Sequence, residues 1–328
     1  MANSIPKPHR ACHVAVCACT YQRPEGLNNL LAGLATQRFT AIPQPLISIV
    51  IADNEACETT AQICHDFSRD TGIPLIYVPV AKRGISYARN ACLDQLPKDT
   101  DLLAFIDDDE RPEPGWLEAL LVMQKQTGSD VVYGPVSPIF PEATPRWIQE
   151  SDFFAKPNQA DTLHNGQEIA FAATCNCLMK VAIIHDTTIR FDPEFALCGG
   201  EDKLFFRQIK AAGYRIVWTA QARVRETVPP QRACLRYLLQ ASFRLGNVRL
   251  PVKLRLLTSA EATHPAAQLR TKTLLKSLSY ILSGSGTLLA VGLSPSLRQA
   301  QKSTGACKIA EGLGMLASLA GFSYRHYR

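Results

Sequence analysis

Short apolar runs alternate with amphipathic segments through the first 130 residues, and this alternation most constrains the fold. Four runs read as strands: 13–19, 46–51, 75–80 and 102–106. Residues at helical spacing follow each run and predict four helices: after Pro24, at 58–69, at 88–96 and at 116–126. Nearly continuous apolar strands separated by single helices predict an α/β fold, with a mainly parallel sheet covered by helices on both faces.

Polar residues follow three of these strands directly. They are Thr20, Tyr21 and Arg23 after the first, Asp53 after the second, and Asp107, Asp108 and Asp109 after the fourth. Ligands of parallel sheets collect at the carboxyl ends of the strands. We therefore expect these side chains to share one site.

The three consecutive aspartates allow two interpretations. Like charges this close repel one another, and a hard divalent cation with oxygen ligands would offset that repulsion. Alternatively, Glu110, Pro112 and Glu113 begin a helix whose dipole favours nearby carboxylates. The aspartates alone do not separate a metal site from an acidic helix start.

Further elements follow a proline-rich stretch at 135–145. Residues 171–179 predict a strand, and residues 214–218 predict another. Between them, Gly199 and Gly200 precede Glu201 and Asp202, which begin a predicted helix ending at Gly213. Glycines permit close backbone approach, and the two acids also suit the first turn of a helix.

Charge is divided unevenly along the chain. Residues 203–328 contain 20 Lys and Arg against three Glu, a net charge of +17, whereas the whole chain carries +6. This asymmetry predicts an anionic partner for the C-terminal part. Aromatic residues seldom alternate with the basic ones there, so we expect a membrane surface and no nucleic acid. The first ten residues lack an apolar core of signal-peptide length, which favours synthesis in the cytosol.

Two apolar, glycine- and serine-containing runs, 274–293 and 309–322, dominate the C-terminal part. Each approaches the length of about 20 residues at which a membrane span becomes possible. Lys276 and the glycines weaken that interpretation, while flanking basic residues suit an element lying beside anionic headgroups. A helical pair packed on the preceding domain is the alternative.

Taken together, five motifs resemble the inverting glycosyltransferases of family 2, which have the GT-A fold. In order, they are residues 20–24 (TYQRP), Asp53-Asn54, residues 84–90 (GISYARN), Asp107 to Asp109, and Gly200-Glu201-Asp202. Residues 226–232 and 243–246 are similar to bacterial enzymes of exopolysaccharide or lipid-linked oligosaccharide assembly, of the succinoglycan-biosynthesis type. The resemblance covers about 14–246.

The resemblance implies a role for each site residue. It places nucleotide-sugar contacts at Thr20, Tyr21, Arg23, Asp53, Arg89, Asp107 and Asp108, metal ligands at Asp109, Asp107 and Glu226, and the general base in the pair Glu201 and Asp202. We favour Asp202 as the base that takes the acceptor's proton. Many relatives have a metal-binding histidine where this chain has Glu226, and a carboxylate suits Mn²⁺ or Mg²⁺.

Three of these residues have structural alternatives. Asp53 could form a turn with Asn54, Arg89 could be solvated and paired with Asp94 or Glu55, and Glu226 could pair with Arg225 or Arg232.

We therefore predict a metal-dependent inverting glycosyltransferase that adds one sugar from a nucleotide-sugar, such as a UDP-sugar, to a polyprenyl-diphosphate-linked or saccharide acceptor. Single addition is favoured because the Gln-x-x-Arg-Trp motif of processive synthases is missing after Asp202. The expected location is the cytoplasmic face of the inner membrane, peripheral or shallowly inserted. A sugar nucleotidyltransferase and a non-catalytic membrane-bound assembly subunit are the alternatives.

The expected organisation is a tail (1–12), a GT-A domain (13–258) and a basic helical extension (259–328) associated with the membrane. Within the domain, 13–134 would form the nucleotide-binding half and 135–258 the acceptor half.

Overall fold

The computed structural model describes residues 10–149, 153–154, 163–257, 263–293 and 299–326. The strands are β1 His13–Thr20, β2 Leu46–Asp53, β3 Leu75–Pro79, β4 Leu102–Phe105, β5 Glu110–Pro112, β6 Val131–Tyr133, β7 Val136–Ile139, β8 Cys177–Lys180, β9 Ile216–Trp218 and β10 Val224–Thr227. The helices are α1 Pro24–Ala35, α2 Glu58–Thr71, α3 Ile85–Asp94, α4 Trp116–Thr127, α5 Arg146–Gln149, α6 Ala182–Asp186, α7 Glu201–Ala211, α8 Leu235–Arg255, α9 Thr263–Leu293 and α10 Gln299–Leu319.

A seven-stranded sheet forms the centre of the molecule, in the order β3-β2-β1-β4-β8-β6-β9. β3, β2, β1 and β4 run parallel, β8 is antiparallel to both of its neighbours, and β9 is parallel to β6. Val14, Val16, Ile49, Ile51 and Leu103 in its central strands are completely buried. The predicted α/β class and mainly parallel sheet are confirmed. This sheet crosses the predicted boundary at residue 134, and the domain boundaries stay predictions.

A second sheet of three strands, in the order β5-β10-β7, lies beside the end of β4. β10 is antiparallel to β5 and parallel to β7. The backbone N–H of Thr227 donates to the carbonyl of Asp109 at 3.1 Å. β10 therefore brings Glu226 to the aspartates that follow β4.

Two local predictions are wrong. The predicted strand at 171–179 begins only at Cys177, because Asn176 has a φ of +101° and its side-chain amide donates to the carbonyls of Pro135 and Ala222. The alternative helix start at 110–114 is instead strand β5, since Glu110 to Pro112 pair with β10, and α4 begins at Trp116.

α8, α9 and α10 pack together, with α10 lying against both of the others. Glycines permit the contacts: a Cβ on Gly246 would lie 2.0 Å from the Glu311 carbonyl, and one on Gly314 would lie 2.0 Å from that of Phe243. α9 is long and apolar enough to cross a membrane by length and composition, and few residues of its 265–291 segment are buried. The C-terminal part is therefore an apolar helical extension consistent with membrane association.

Candidate active site

A cavity of about 710 Å³ opens at the carboxyl ends of β1 and β4. Its walls contain most of the predicted donor-side residues: Thr20, Tyr21, Arg23, Arg89, Asp107, Asp108, Asp109 and Glu226. The parallel sheet explains this grouping, because the ends of adjacent parallel strands lie at one edge. We call this space the donor cavity.

Asp108 is held inside the wall of the donor cavity and is only 5% exposed. Its carboxylate accepts hydrogen bonds from Thr20 Oγ1 at 2.9 Å and from the Arg23 guanidinium at 2.8 Å. Burial raises the pKa of Asp108 to about 6, with Asp109 adding to the rise and Arg23 opposing it. Asp108 therefore joins the loop after β1 to the end of β4.

Asp109 lies between two arginines from distant parts of the chain. Its Oδ2 accepts from Arg23 at 2.8 Å and from Arg232 at 3.0 Å. Glu226 Oε1 lies 3.7 Å from the same Arg232 nitrogen, so one of the two predicted salt-bridge alternatives for Glu226 is present. Arg225 instead pairs with Glu113 at 3.1 Å.

Asp107 is the most exposed of the three aspartates, with 38% of its side chain accessible, and it lies 3.5 Å from Arg89. Ligand atoms of Asp107, Glu110 and Cys175 lie within 4.8 Å of one another. The described residues thus bring Asp107 together with Glu110 and Cys175 at metal-ligand spacing, a set that differs from the predicted Asp107, Asp109 and Glu226.

The donor groups around Asp107 fit a divalent cation. Mg²⁺ and Mn²⁺ prefer carboxylate oxygens, which Asp107, Asp109 and Glu226 all offer at the cavity wall. Three arginines partly balance these acids, and a cation would add to that compensation. The metal ligands stay predictions.

Asp53 belongs to the fold interior and is completely buried. It accepts hydrogen bonds from the backbone N–H groups of Glu55 and Cys57 and from the Tyr77 hydroxyl, each at 2.9 Å. This is the turn that we considered as the alternative. Among the described residues, Asn54 lines the donor cavity and Asp53 lines neither cavity.

Tyr21 forms part of the donor cavity wall, where the Arg83 guanidinium lies 4.9 Å from its ring centre. Gly26 in the next helix lies so close to the Asp108 carbonyl that a Cβ there would be 2.6 Å from the oxygen. The glycine therefore allows the start of α1 to pack on the aspartate segment.

A second cavity of about 660 Å³ adjoins the first and contains both predicted base candidates, Glu201 and Asp202. We call it the acceptor cavity. The two cavities share six wall residues: Arg89, Asp107, Glu226, Arg232, Tyr237 and Arg244. The two cavities therefore adjoin at this shared wall.

The two base candidates have different surroundings. Glu201 is 4% exposed and forms an ion pair with Arg89, and burial raises its pKa against the opposing charge of Arg89. Asp202 is half-buried, and its Oδ1 accepts from the backbone N–H of Lys203 at 2.7 Å. Gly199 and Gly200, with φ of +80° and +93°, make the turn before this pair. A base must reach substrate, which favours Asp202.

The sequence matches the family model for glycosyl transferase family 2 over residues 15–188. The succinoglycan biosynthesis protein ExoM of Rhizobium meliloti (strain 1021) is 34% identical over 242 residues, covering 73% of this chain and 75% of that protein. The chain belongs to glycosyltransferase family 2.

More distant relatives of this family 2 chain include the glucosyl-dolichyl phosphate glucuronosyltransferase of Haloferax volcanii, 25% identical over 71% of this chain and 75% of that enzyme. The mannosyltransferase PcManGT of Pyrobaculum calidifontis, solved with GDP-Man and Mn²⁺, has a TM-score of 0.62 at 15% identity, covering 96% of this chain and 90% of that one. The predicted family, GT-A fold and glycosyltransferase class are confirmed, which leaves no support for the nucleotidyltransferase alternative.

Sequence reasoning missed several cavity residues of this family 2 enzyme. Arg232, Tyr237, Arg244 and His326 line the donor cavity, and Lys203 lines the acceptor cavity. The structural alternative for Arg89 was a solvated side chain paired with Asp94 or Glu55. Arg89 is instead buried against Glu201 and Asp107. Arg232 entered the sequence analysis only as a possible partner of Glu226, and no motif marked His326, because both reach the donor cavity through tertiary packing.

His326 reaches the donor cavity from the segment after α10. Its backbone N–H donates to the Leu197 carbonyl at 2.7 Å, and Asn247 holds the same segment through Phe322 and Tyr324. Burial lowers the pKa of His326 to about 4, and Arg244, Arg232 and Arg23 lower it further. The imidazole is therefore neutral at pH 7.

Proposed function

We propose that this glycosyltransferase moves a single sugar, with inversion, from a nucleotide diphosphate sugar to a lipid-linked acceptor during assembly of a cell-surface polysaccharide. The observation that carries the proposal is the pair of cavities that meet at Arg89, Asp107 and Glu226. Basic and acidic groups surround the donor side, and the half-buried carboxylate of Asp202 lies on the acceptor side.

On the donor side, charge on the leaving nucleotide diphosphate would be met by Arg23, Arg89 and Arg232. Fixed cations aimed at developing negative charge lower the barrier without reorganising during the reaction. A Mn²⁺ or Mg²⁺ ion held by Asp107 and Asp109, with Glu226 beside them, would supply further neutralisation of the diphosphate.

On the acceptor side, Asp202 would accept the proton of the attacking hydroxyl. Glu201 would keep Arg89 in place, because their ion pair joins α7 to α3. The half-buried Asp202 next to the buried, paired Glu201 gives the two carboxylates separate tasks.

The acceptor proposal draws on two relatives. One takes part in succinoglycan biosynthesis and the other is a transferase that acts on a glucosyl-dolichyl phosphate. We infer that the acceptor of this protein is likewise a sugar linked to a lipid phosphate or diphosphate. We also infer that the product enters an exopolysaccharide.

The location proposal rests on the orientation of α9. Leu275, Leu282 and Leu289 face outward and are 62%, 71% and 70% exposed, while the small Ser277 and Gly284 face α10. Helices in membranes pack through small residues and expose leucines to lipid. Basic residues on α9, Arg270, Lys272 and Lys276, are exposed and would meet anionic headgroups at the cytoplasmic face.

Calorimetric titration of UDP with and without MnCl₂ tests the donor site. We expect manganese-dependent binding that Asp109→Ala abolishes and that Asp94→Ala, an exposed control in α3, retains. Unchanged binding in Asp109→Ala would refute the metal assignment. If UDP, GDP and dTDP all fail to bind, the nucleotide-sugar proposal is wrong.

Vesicle flotation tests the location. The wild type should float with phosphatidylcholine vesicles containing phosphatidylglycerol, and the Leu275→Ser/Leu282→Ser variant should not. Leu46→Ser is the control, because Leu46 is 52% exposed on β2, away from the helical extension. Equal flotation of all three proteins would contradict membrane association through α9.

A further inference from the structure

Two cations of the acceptor cavity, Lys203 and Arg244, form no salt bridge among the described residues, although the nearby carboxylate of Asp202 attracts Lys203. Other basic residues in and beside this cavity are paired: Arg89 with Glu201, Arg232 with Asp109, and Arg249 with Glu311. Lys308 donates to Ser283 Oγ at 3.3 Å. Lys203 and Arg244 therefore present their charge to the cavity.

The two cations lie on different elements that face each other. Lys203 is in the first turn of α7, directly after Asp202, and Arg244 is in the middle of α8. Burial lowers the pKa of Lys203 despite the attraction of Asp202, and the charges of Arg249 and Arg244 lower it further. The start of α7 adds the positive end of a helix dipole. Positive charge is thus concentrated next to the proposed base.

Exposure to solvent alone does not explain how the charge of Lys203 is stabilised. Arg207, one turn later on α7, is exposed, whereas Lys203 is half-buried and lines the cavity. Keeping an ammonium group partly out of water costs free energy, and the attraction of Asp202 does not fully offset the burial of Lys203. A ligand anion would provide that compensation.

Apolar side chains form part of the remaining wall of the acceptor cavity, beside further polar and charged residues. Phe153, Phe154 and Phe171 line one part, and Leu245 and Val248 of α8 line another. The cavity continues to α10 at Ser303, Thr304, Cys307 and Lys308. Since α10 packs against α9, this end of the cavity lies near the leucine-rich helix. A ligand with an anionic head and an apolar chain matches these walls.

We propose that Lys203 and Arg244 bind the phosphate or diphosphate of a lipid-linked acceptor. This inference rests on the proposed function and adds the residues that recognise the acceptor and the place of its phosphate.

Binding of farnesyl diphosphate tests the proposal, with farnesol and inorganic pyrophosphate as companion probes. The full chain is kept in neutral detergent with MgCl₂ and saturating UDP, so that the donor site is occupied. Lys203→Gln and Arg244→Gln are compared with Arg207→Gln and Arg236→Gln, which remove exposed charges from α7 and α8.

We expect Lys203→Gln to weaken farnesyl diphosphate binding by about tenfold or more, the scale of a lost charge-assisted hydrogen bond. Arg244→Gln should do the same, and the two control variants should bind like the wild type. Farnesol binding should be weak and equal in all five proteins. UDP affinity, measured separately, should be unchanged in Lys203→Gln.

Three results would overturn the proposal. Equal farnesyl diphosphate binding by the wild type and Lys203→Gln would show that Lys203 does not bind the phosphate. Inorganic pyrophosphate could bind as tightly as farnesyl diphosphate, with the same dependence on Lys203. That result would show that the site binds free phosphate and does not recognise the lipid chain. A parallel loss of UDP affinity in Lys203→Gln would show that Lys203 contacts the donor nucleotide and not the acceptor. Failure of UDP binding in the wild type, with Lys203-dependent farnesyl diphosphate binding intact, would instead refute only the proposed donor.

Discussion

Arg89 and Glu201 form a buried ion pair between residues 112 positions apart in the chain. Their side chains are 8% and 5% exposed. Arg89 belongs to α3 beside the donor cavity, and Glu201 begins α7 beside the acceptor cavity. The pair therefore connects the two sides of the site, and its loss should affect both stability and geometry.

Removing one member of this pair should destabilise the protein strongly. We expect Arg89→Met to lower the free energy of unfolding by about 3–5 kcal/mol, because it leaves Glu201 buried without its cation. The double variant Arg89→Met/Glu201→Met should recover much of that loss. Urea denaturation of the single and double variants measures both effects.

Arg69→Met is the control for this cycle, since Arg69 pairs with Asp66 on the exposed face of α2. Its unfolding midpoint should match that of the wild type. If Arg89→Met were as stable as Arg69→Met, the buried pair would contribute nothing to the fold.

Substitutions of Asp202 and Glu201 should have different effects on turnover and on stability. Asp202→Asn is expected to reduce kcat by about 10²–10⁴-fold, the usual contribution of a general base, while UDP affinity stays at the wild-type level. Glu201→Gln should lower stability more than Asp202→Asn does, because Glu201 is paired with buried Arg89. Near wild-type turnover by Asp202→Asn would show that another group takes the proton.

Two glycines of the helical extension offer a matched test of helix packing. A Cβ at Gly314 would lie 2.0 Å from the Phe243 carbonyl, whereas one at Gly286 would meet no atom within 4 Å. Gly314→Ala should destabilise the protein by about 1–3 kcal/mol through overpacking. Gly286→Ala should be neutral or stabilising by up to about 1 kcal/mol, because alanine favours helix.

Thermal unfolding in detergent separates these glycine variants. The same measurement would contradict the packing of α10 on α8 if the two variants melted together. A parallel vesicle-flotation assay should show Gly286→Ala bound as well as the wild type.

We expect the ionised carboxylate of Asp130 to make a pH-dependent contribution to the free energy of unfolding. Burial alone would raise its pKa, but hydrogen bonds from the Arg215 backbone N–H and from Lys180 outweigh burial, so the pKa falls below its usual 3.8. A lowered folded-state pKa stabilises the fold above the unfolded value, and that contribution is lost as the pH drops through the folded value. Asp130→Asn should therefore be less stable than the wild type at pH 7, by about 1–2 kcal/mol.

This difference should shrink once the pH falls below 3.8, because the carboxyl of the unfolded chain is protonated first and the folded-state carboxyl follows at its lower pKa. Unfolding measured from pH 7 to pH 3 for the wild type, Asp130→Asn and the exposed Asp94→Ala control tests the dependence. A difference that stayed constant across this range would mean that the charge of Asp130 is not its cause.

The first strands and helices could be predicted because their patterns are local. Apolar runs at 46–51 and 102–106 became β2 and β4, and the leucines at helical spacing became α1. Residues 110–114 could not be assigned in this way, since their acids and prolines suit both a helix start and an edge strand. Residues 110–112 form strand β5 because they pair with β10, which lies more than 100 residues later in the chain.

The same contrast holds for the candidate site. Asp107 and Asp109 were predicted because they follow a buried strand, and Asp202 because the resemblance to family 2 places the base in the acidic pair that follows two glycines. The partners of Asp109 could not be predicted, since Arg232 lies 123 residues away and no spacing connects them. The nucleotide contact of Asp53 stays a prediction, and its position at a strand end did not reveal the three hydrogen-bond donors that contact its carboxylate inside the fold.

The sequence by itself determined the α/β class, the family and the edge of the sheet where the acids collect, because strand periodicity and short motifs are encoded by neighbouring residues. Tertiary structure alone decided which carboxylates are buried against arginines and which face a cavity. It also placed Lys203, Arg244 and His326 in the cavity walls and turned the leucines of α9 outward. These properties depend on contacts between segments far apart in the chain, which local pattern does not specify.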